Sequence, residues 1–94
     1  MGEAYTGYGA TLVAQGRLDD AIAKFSQALE LNPNDSGAYL YRGQALLTQG
    51  HVDEAVASLK EGVRLRPGFE PAQRLLDQAL QRQKAARSSG SPPR

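Results

Sequence analysis

Residues 2–35, GEAYTGYGATLVAQGRLDDAIAKFSQALELNPND, lie without a gap over residues 36–69, SGAYLYRGQALLTQGHVDEAVASLKEGVRLRPGF. Eleven positions are identical: Ala4/Ala38, Tyr5/Tyr39, Gly9/Gly43, Leu12/Leu46, Gln15/Gln49, Gly16/Gly50, Asp19/Asp53, Ala21/Ala55, Ala23/Ala57, Leu31/Leu65 and Pro33/Pro67. Further pairs exchange one aliphatic or acidic residue for another. Internal repetition at a 34-residue period points to a stacked helical array. Arrays of this kind bind other molecules along an extended concave surface.

Within each period the spacing predicts a helical hairpin. Over 3–15, Tyr5, Tyr8 or Gly9, Leu12 and Val13 recur at steps of three and four, as on one face of a helix. Gly16 stands where glycine commonly ends a helix. Leu18 opens a second helix that runs to Leu31, with Asp19 and Asp20 in its first turn, where carboxylates suit the positive end of the helix dipole. Its apolar stripe is Leu18, Ala21, Ile22, Phe25, Ala28 and Leu29. Pro33 cannot continue a helical hydrogen-bond ladder, and Asp35 or Ser36 is suited to cap the next helix. The pattern returns over about 36–49, with Tyr39, Gly43, Leu46 and Leu47, and over about 53–66, with Ala55, Val56, Leu59, Val63 and Leu65. Glu70-Pro71 begins a fifth helix whose stripe is Ala72, Leu75, Leu76, Ala79 and Leu80. It reads as an end cap with a wet outer face. The expected architecture is all-α, an α-α superhelix of five antiparallel helices. The repeats fill 2–35 and 36–69, the capping helix 70–86, and together they form one domain over 2–86. Residues 87–94, rich in Ser, Pro and Arg, are expected to be a disordered tail or linker.

The 94-residue length bounds the chain to one domain with a small core. No cysteine is present, which excludes disulfides and thiolate metal sites and agrees with a cytoplasmic location. No apolar run reaches the roughly 18 residues of a membrane span. Met1-Gly2-Glu3-Ala4-Tyr5 has neither the basic nor the apolar region of a signal peptide. Residues 1–77 carry seven basic and ten acidic groups, whereas Arg82, Lys84, Arg87 and Arg94 follow without an acid. That distribution makes no basic face for duplex nucleic acid, and the basic end reads as solubilising. Neither a membrane nor a nucleic acid is expected as a partner.

These landmarks resemble the tetratricopeptide repeat (TPR) family. The family's aromatic, leucine-like, glycine, aromatic-or-aliphatic, alanine, aromatic, alanine and proline positions hold Tyr5, Tyr8, Gly9, Leu12, Ala21, Phe25, Ala28 and Pro33 in the first unit. The second unit has Tyr39, Arg42, Gly43, Leu46, Ala55, Leu59, Gly62 and Pro67. Arg42 in a leucine position and Leu59 in an aromatic one depart from the pattern. The resemblance implies that Gly9 and Gly43 allow the two helices of a unit to touch. It places Ala21 and Ala55 at the reciprocal contact, with Phe25 and Leu59 filling the space between units.

The resemblance further implies that the first helix of each unit lines a concave groove. The groove candidates are Thr6, Ala10 and Val13 from the first unit, Leu40, Tyr41, Gln44 and Leu47 from the second, and Arg74 of the fifth helix. Leu40, Tyr41 and Leu47 read equally as packing residues. One TPR subclass grips the acidic C-terminal tail of heat-shock chaperones with lysine, asparagine and arginine. Its positions hold Thr6, Ala10, Tyr41, Pro71 and Leu75 here, so that clamp is absent; charge-assisted contacts to a carboxylate need donors.

Catalytic and metal chemistry finds no support in the residues. His51 is the single histidine and lies in a predicted turn, so neither a zinc site nor a Ser-His-Asp arrangement is available. Asp19-Asp20 and Asp53-Glu54 each begin a helix, which the dipole explains. Gly7-Tyr8-Gly9 lacks the strand and third glycine of a dinucleotide loop. No cofactor is expected.

The expected function is a protein-interaction module that binds a peptide or helix of a partner protein, with no catalysis. Two alternatives stay open: a self-associating structural repeat, and a regulatory or docking fragment of a larger enzyme. Arrays usually need about three repeats, so two repeats and a cap lead to the expectation of a homodimer or of a place in a longer array. The bare N-terminal face around Tyr5, Tyr8 and Val13 is the expected contact.

Overall fold

The computed structural model describes residues 12–89. Residues 12–14 are the helical end of a first element. Four helices follow: α1 (Leu18–Leu31), α2 (Ser36–Gln49), α3 (Val52–Leu65) and α4 (Glu70–Ser89). No strand occurs among the described residues.

Two glycines set the hairpins. Gly16 and Gly50 take left-handed φ values of 77° and 89°. At the first turn the Gly16 N–H donates to the Val13 carbonyl at 2.9 Å and the Arg17 N–H to that of Leu12 at 2.8 Å. At the second, Gly50 donates to Leu47 at 3.0 Å and His51 to Leu46 at 2.9 Å. Both are Schellman closures, which satisfy carbonyls that a helix end leaves unpaired. A Cβ on Gly50 would meet nothing within 4 Å, so Gly50→Ala tests the backbone alone. A left-handed residue with a Cβ costs about 1–2 kcal/mol, and a loss of that size is expected in urea unfolding.

The third helix of this register lacks that device. Lys84 stands in the position of Gly16 and Gly50, and α4 runs on to Ser89. The helix thus reaches three residues past its expected end at 86. Arg87, Ser88 and Ser89 break no helix, and the first breaker is Gly90. Residues 90–94 lie outside the described residues. At the start of α2 the Asp35 side chain accepts from the Ala38 N–H at 3.1 Å, which makes Asp35 the cap and Ser36 the first helical residue.

Each helix packs on the next in sequence, and α2 also touches α4. The molecule is therefore long and flat, 52 × 29 × 19 Å. Its core has two parts. Leu12, Ala21, Phe25 and Ala45 join the first helix end, α1 and α2. Leu40, Leu46, Leu47, Ala55, Val56 and Leu59 join Ala72, Leu76 and Ala79 across α2, α3 and α4. Ile22 packs against both. A Cβ on Gly43 would lie 2.5 Å from Leu59 Cγ, so α2 and α3 approach as closely as a bare backbone permits. One residue of the α4 stripe departs from expectation. Leu80 is 37% exposed, whereas Leu12 and Leu46 in the same repeat position are 1% and 3% exposed. Those two meet the second helix of their own hairpin, and no described helix packs on that side of α4.

Candidate functional site

The sequence-predicted groove residues separate into three groups. Thr6 and Ala10 lie outside the described residues. Leu40 and Leu47 are buried, in the packing place that the sequence left open for them. They share one buried cluster with Ala72, Leu76 and Ala79 of α4. Leu40 and Leu47 thus form the packed floor beneath the α2–α4 seam. Val13 is half-buried against the Leu12–Phe25 cluster. Tyr41, Gln44 and Arg74 remain at the surface.

Tyr41 is held in place by α1. Its ring stacks on the fully buried Phe25 ring, with centroids 5.8 Å apart and planes inclined by 21°. Offset stacking of this kind adds about 0.5–1.5 kcal/mol beyond area burial. The Arg74 guanidinium pairs with Glu70 at 3.2 Å one helical turn earlier, and both side chains are open to water, where such pairs contribute little. Gln44 is exposed on α2.

Three polar residues outside the predicted groove set, Gln78, Gln81 and Arg82, are exposed on α4. Gln78, Gln81, Arg82 and Ala85 line a cavity of about 440 Å³. Arg82 Nη1 donates to the Leu47 carbonyl at 3.2 Å, tying α4 to the end of α2. The 34-residue register supplies a signal for them. Gln78 falls on Gln44, Gln81 on Leu47, and Arg82 on Thr48. The face therefore presents Gln44 and Gln78 in matching positions on neighbouring helices.

A second polar feature lies between α2 and α3. Arg42 Nη1 donates to Ser58 Oγ at 3.3 Å, while its buried Nε has no partner. A cavity of about 220 Å³ beside it is lined by Tyr39, Arg42, Glu54, Ala57, Ser58 and Glu61. The Arg64 guanidinium hydrogen-bonds the Glu61 carboxylate and holds it below the ordinary carboxylate range. The same contact raises Arg64. The pair is open to water, so it leaves stability almost unchanged.

Among the described residues no group of His, Asp and Glu is placed to hold a metal ion. No described helix is long and apolar enough to cross a membrane.

A tetratricopeptide repeat family model matches residues 9–68. Among solved structures, the chain is similar to the second TPR domain of the human RPAP3 protein in complex with the HSP70 peptide SGPTIEEVD. The TM-score is 0.80 at 22% identity, over 83% of this chain and 65% of that one. It is also similar to the first TPR of Spaghetti (RPAP3) bound to the HSP90 peptide SRMEEVD. There the TM-score is 0.83 at 21% identity, over 86% of this chain and 64% of that one. The chain thus spans less than two thirds of either. At such identities the likeness is one of fold. No curated protein matches the chain.

Proposed function

This chain belongs to the tetratricopeptide repeat family, and from that premise we propose that it is a protein-interaction module holding an extended segment of a partner protein across α2 and α4. The observation that carries this reading is the cavity lined by Gln78, Gln81 and Arg82 beside the α2–α4 seam. Each glutamine amide offers two donors and an acceptor. A peptide backbone alternates one donor and one acceptor per residue, so successive amides along a face suit main-chain recognition. Tyr41 adds apolar area on a rigid ring. Arg82 keeps guanidinium N–H groups beyond the one used on Leu47. The role is binding without catalysis, and its ligand is a segment with few acidic residues.

The RPAP3 domains are in complex with the peptides SGPTIEEVD and SRMEEVD, but the positions at which the chaperone-tail subclass carries its donors hold Thr6, Ala10, Tyr41, Pro71 and Leu75 here. The peptide SGPTIEEVD is therefore expected to leave the amide spectrum of this protein unchanged. Peptides selected against the protein from a random display library are expected to shift the resonances of Gln44, Gln78 and Gln81. The Gln78→Ala/Arg82→Ala variant is expected to bind them about tenfold more weakly. That corresponds to about 1.4 kcal/mol, the worth of one or two hydrogen bonds. Selected peptides that bind this variant with unchanged affinity and shift other surfaces would remove the α2–α4 face as the site.

A further inference from the structure

The six glutamines of α2 and α4 fall into two sets. Gln49, Gln73 and Gln83 donate their side-chain amides to Asp19, Asp77 and Asp53. The amides of Gln44, Gln78 and Gln81 bond to no described residue, and all three residues are exposed. Gln78 and Gln81 line their cavity together with Arg82 and Ala85, and no carboxylate lines it. Arg82 directs one N–H to the Leu47 carbonyl. Each amide supplies two N–H donors for one carbonyl oxygen, and the guanidinium supplies donors alone. The unengaged groups of this face are therefore mostly donors.

An ordinary extended segment brings one N–H for every carbonyl. N–H groups that meet a donor-rich face lose water without gaining a partner, which is unfavourable. A proline residue brings a carbonyl and no N–H. A run of prolines forms the polyproline II helix, which has no internal hydrogen bonds and leaves its carbonyls open to outside donors. The spacing agrees as well. That helix completes a turn in about 9 Å, and helices in contact, as α2 and α4 are, stand about 8–10 Å apart. Gln44 and Gln78 hold the same repeat position, so carbonyls one turn apart meet equivalent amides. The Tyr41 ring, 38% exposed and backed by the Phe25 ring, gives a rigid aromatic surface of the kind that proline-rich segments dock on.

We propose that the partner segment held across α2 and α4 is proline-rich and is bound as a polyproline II helix. This ligand class rests on the reading of that face as the peptide site. Gln44, Gln78, Gln81 and Arg82 donate to the segment's carbonyls, and Tyr41 packs against a pyrrolidine ring. Such a segment is ordered before it binds, so little conformational entropy is lost on association.

The test titrates the full chain with two capped peptides of about nine residues, about three polyproline II turns. One is all proline, and the other alternates alanine and serine. The proline peptide is expected to shift the side-chain amide resonances of Gln44, Gln78 and Gln81 and to bind about tenfold more tightly than the control. Gln78→Glu and Gln81→Glu, both at exposed positions, remove donors and keep acceptors. Each is expected to weaken the proline peptide about tenfold and to leave the urea midpoint unchanged. A proline peptide that binds no better than the control, that shifts other surfaces, or that tolerates both glutamate variants would overturn the proposal. Library-selected peptides that lack proline yet shift Gln44, Gln78 and Gln81 would overturn it too, while leaving the face as the peptide site. Failure of the face itself is read separately, from selected peptides whose binding ignores Gln78→Ala/Arg82→Ala.

Discussion

Replacing Phe25 by alanine is expected to remove about 3–5 kcal/mol of stability. Phe25 is fully buried and one of the three largest such side chains described, with Leu12 and Leu59. It touches the first helix end through Leu12, its own helix through Ala21, and the following hairpin through Ala45 and the Tyr41 ring. Truncation therefore opens a cavity at the point where the two repeat units meet. A domain of this size has about 5–15 kcal/mol in total, so the loss is a large share of it. The fold also dictates where the loss falls. Of the helices α2 to α4, only α2 packs on α1, and stability in such arrays is a sum of unit and neighbour terms. Hydrogen exchange in the variant is expected to accelerate first across α1, while α3 keeps its protection. A uniform loss across all four helices, or an unchanged urea midpoint, would contradict this account of the Phe25 contact.

The second large effect lies at Gly43 and Leu59. Leu59 has no exposed surface. A methyl group on Gly43 would sit 2.5 Å from its Cγ and 2.8 Å from Cδ2, distances at which atoms must move. Overpacking of this kind costs about 1–3 kcal/mol, and the higher helix propensity of alanine returns about 1 kcal/mol. Leu59→Ala alone is expected to cost about 2–5 kcal/mol by leaving a void. The double variant is where the contact becomes visible. The new methyl fills part of the space that Leu59 vacates, so the combined loss is expected to fall short of the sum by about 0.5–3 kcal/mol. Urea unfolding of the four proteins in this cycle measures that shortfall, and strict additivity would deny the contact.

Most of the fold was legible because the repeat period is enforced by residues with one physical use. Gly16 and Gly50 are needed for their left-handed turns, and Gly43 for a contact that no side chain permits. The acids at the starts of α1 and α3 mark helix entries. The end of α4 at Ser89 was less legible, because the Ser-Pro-rich stretch from 87 begins with residues that a helix tolerates. The decisive residue was Lys84, which occupies a glycine position without being able to act as one. The candidate face was harder to read. Position in the repeat identifies Leu40 and Leu47 as residues of a first helix, but their exposure depends on what packs beside them. Both are buried in one cluster with Ala72, Leu76 and Ala79 of α4, residues more than 24 positions further along the chain. Arg82 was hidden for a related reason. Its bond to the Leu47 carbonyl joins residues 35 positions apart in the chain, and no local pattern announces it.

The order in which the helices touch has a kinetic consequence. Because each described helix leans on its neighbour in sequence, with α2–α4 the one longer reach among α1 to α4, little loop entropy must be given up before native contacts begin to form. Chains built from such local contacts refold within about microseconds to milliseconds. During synthesis, a hairpin leaving the ribosome can therefore consolidate before the next is translated, so apolar surface stays uncovered only briefly.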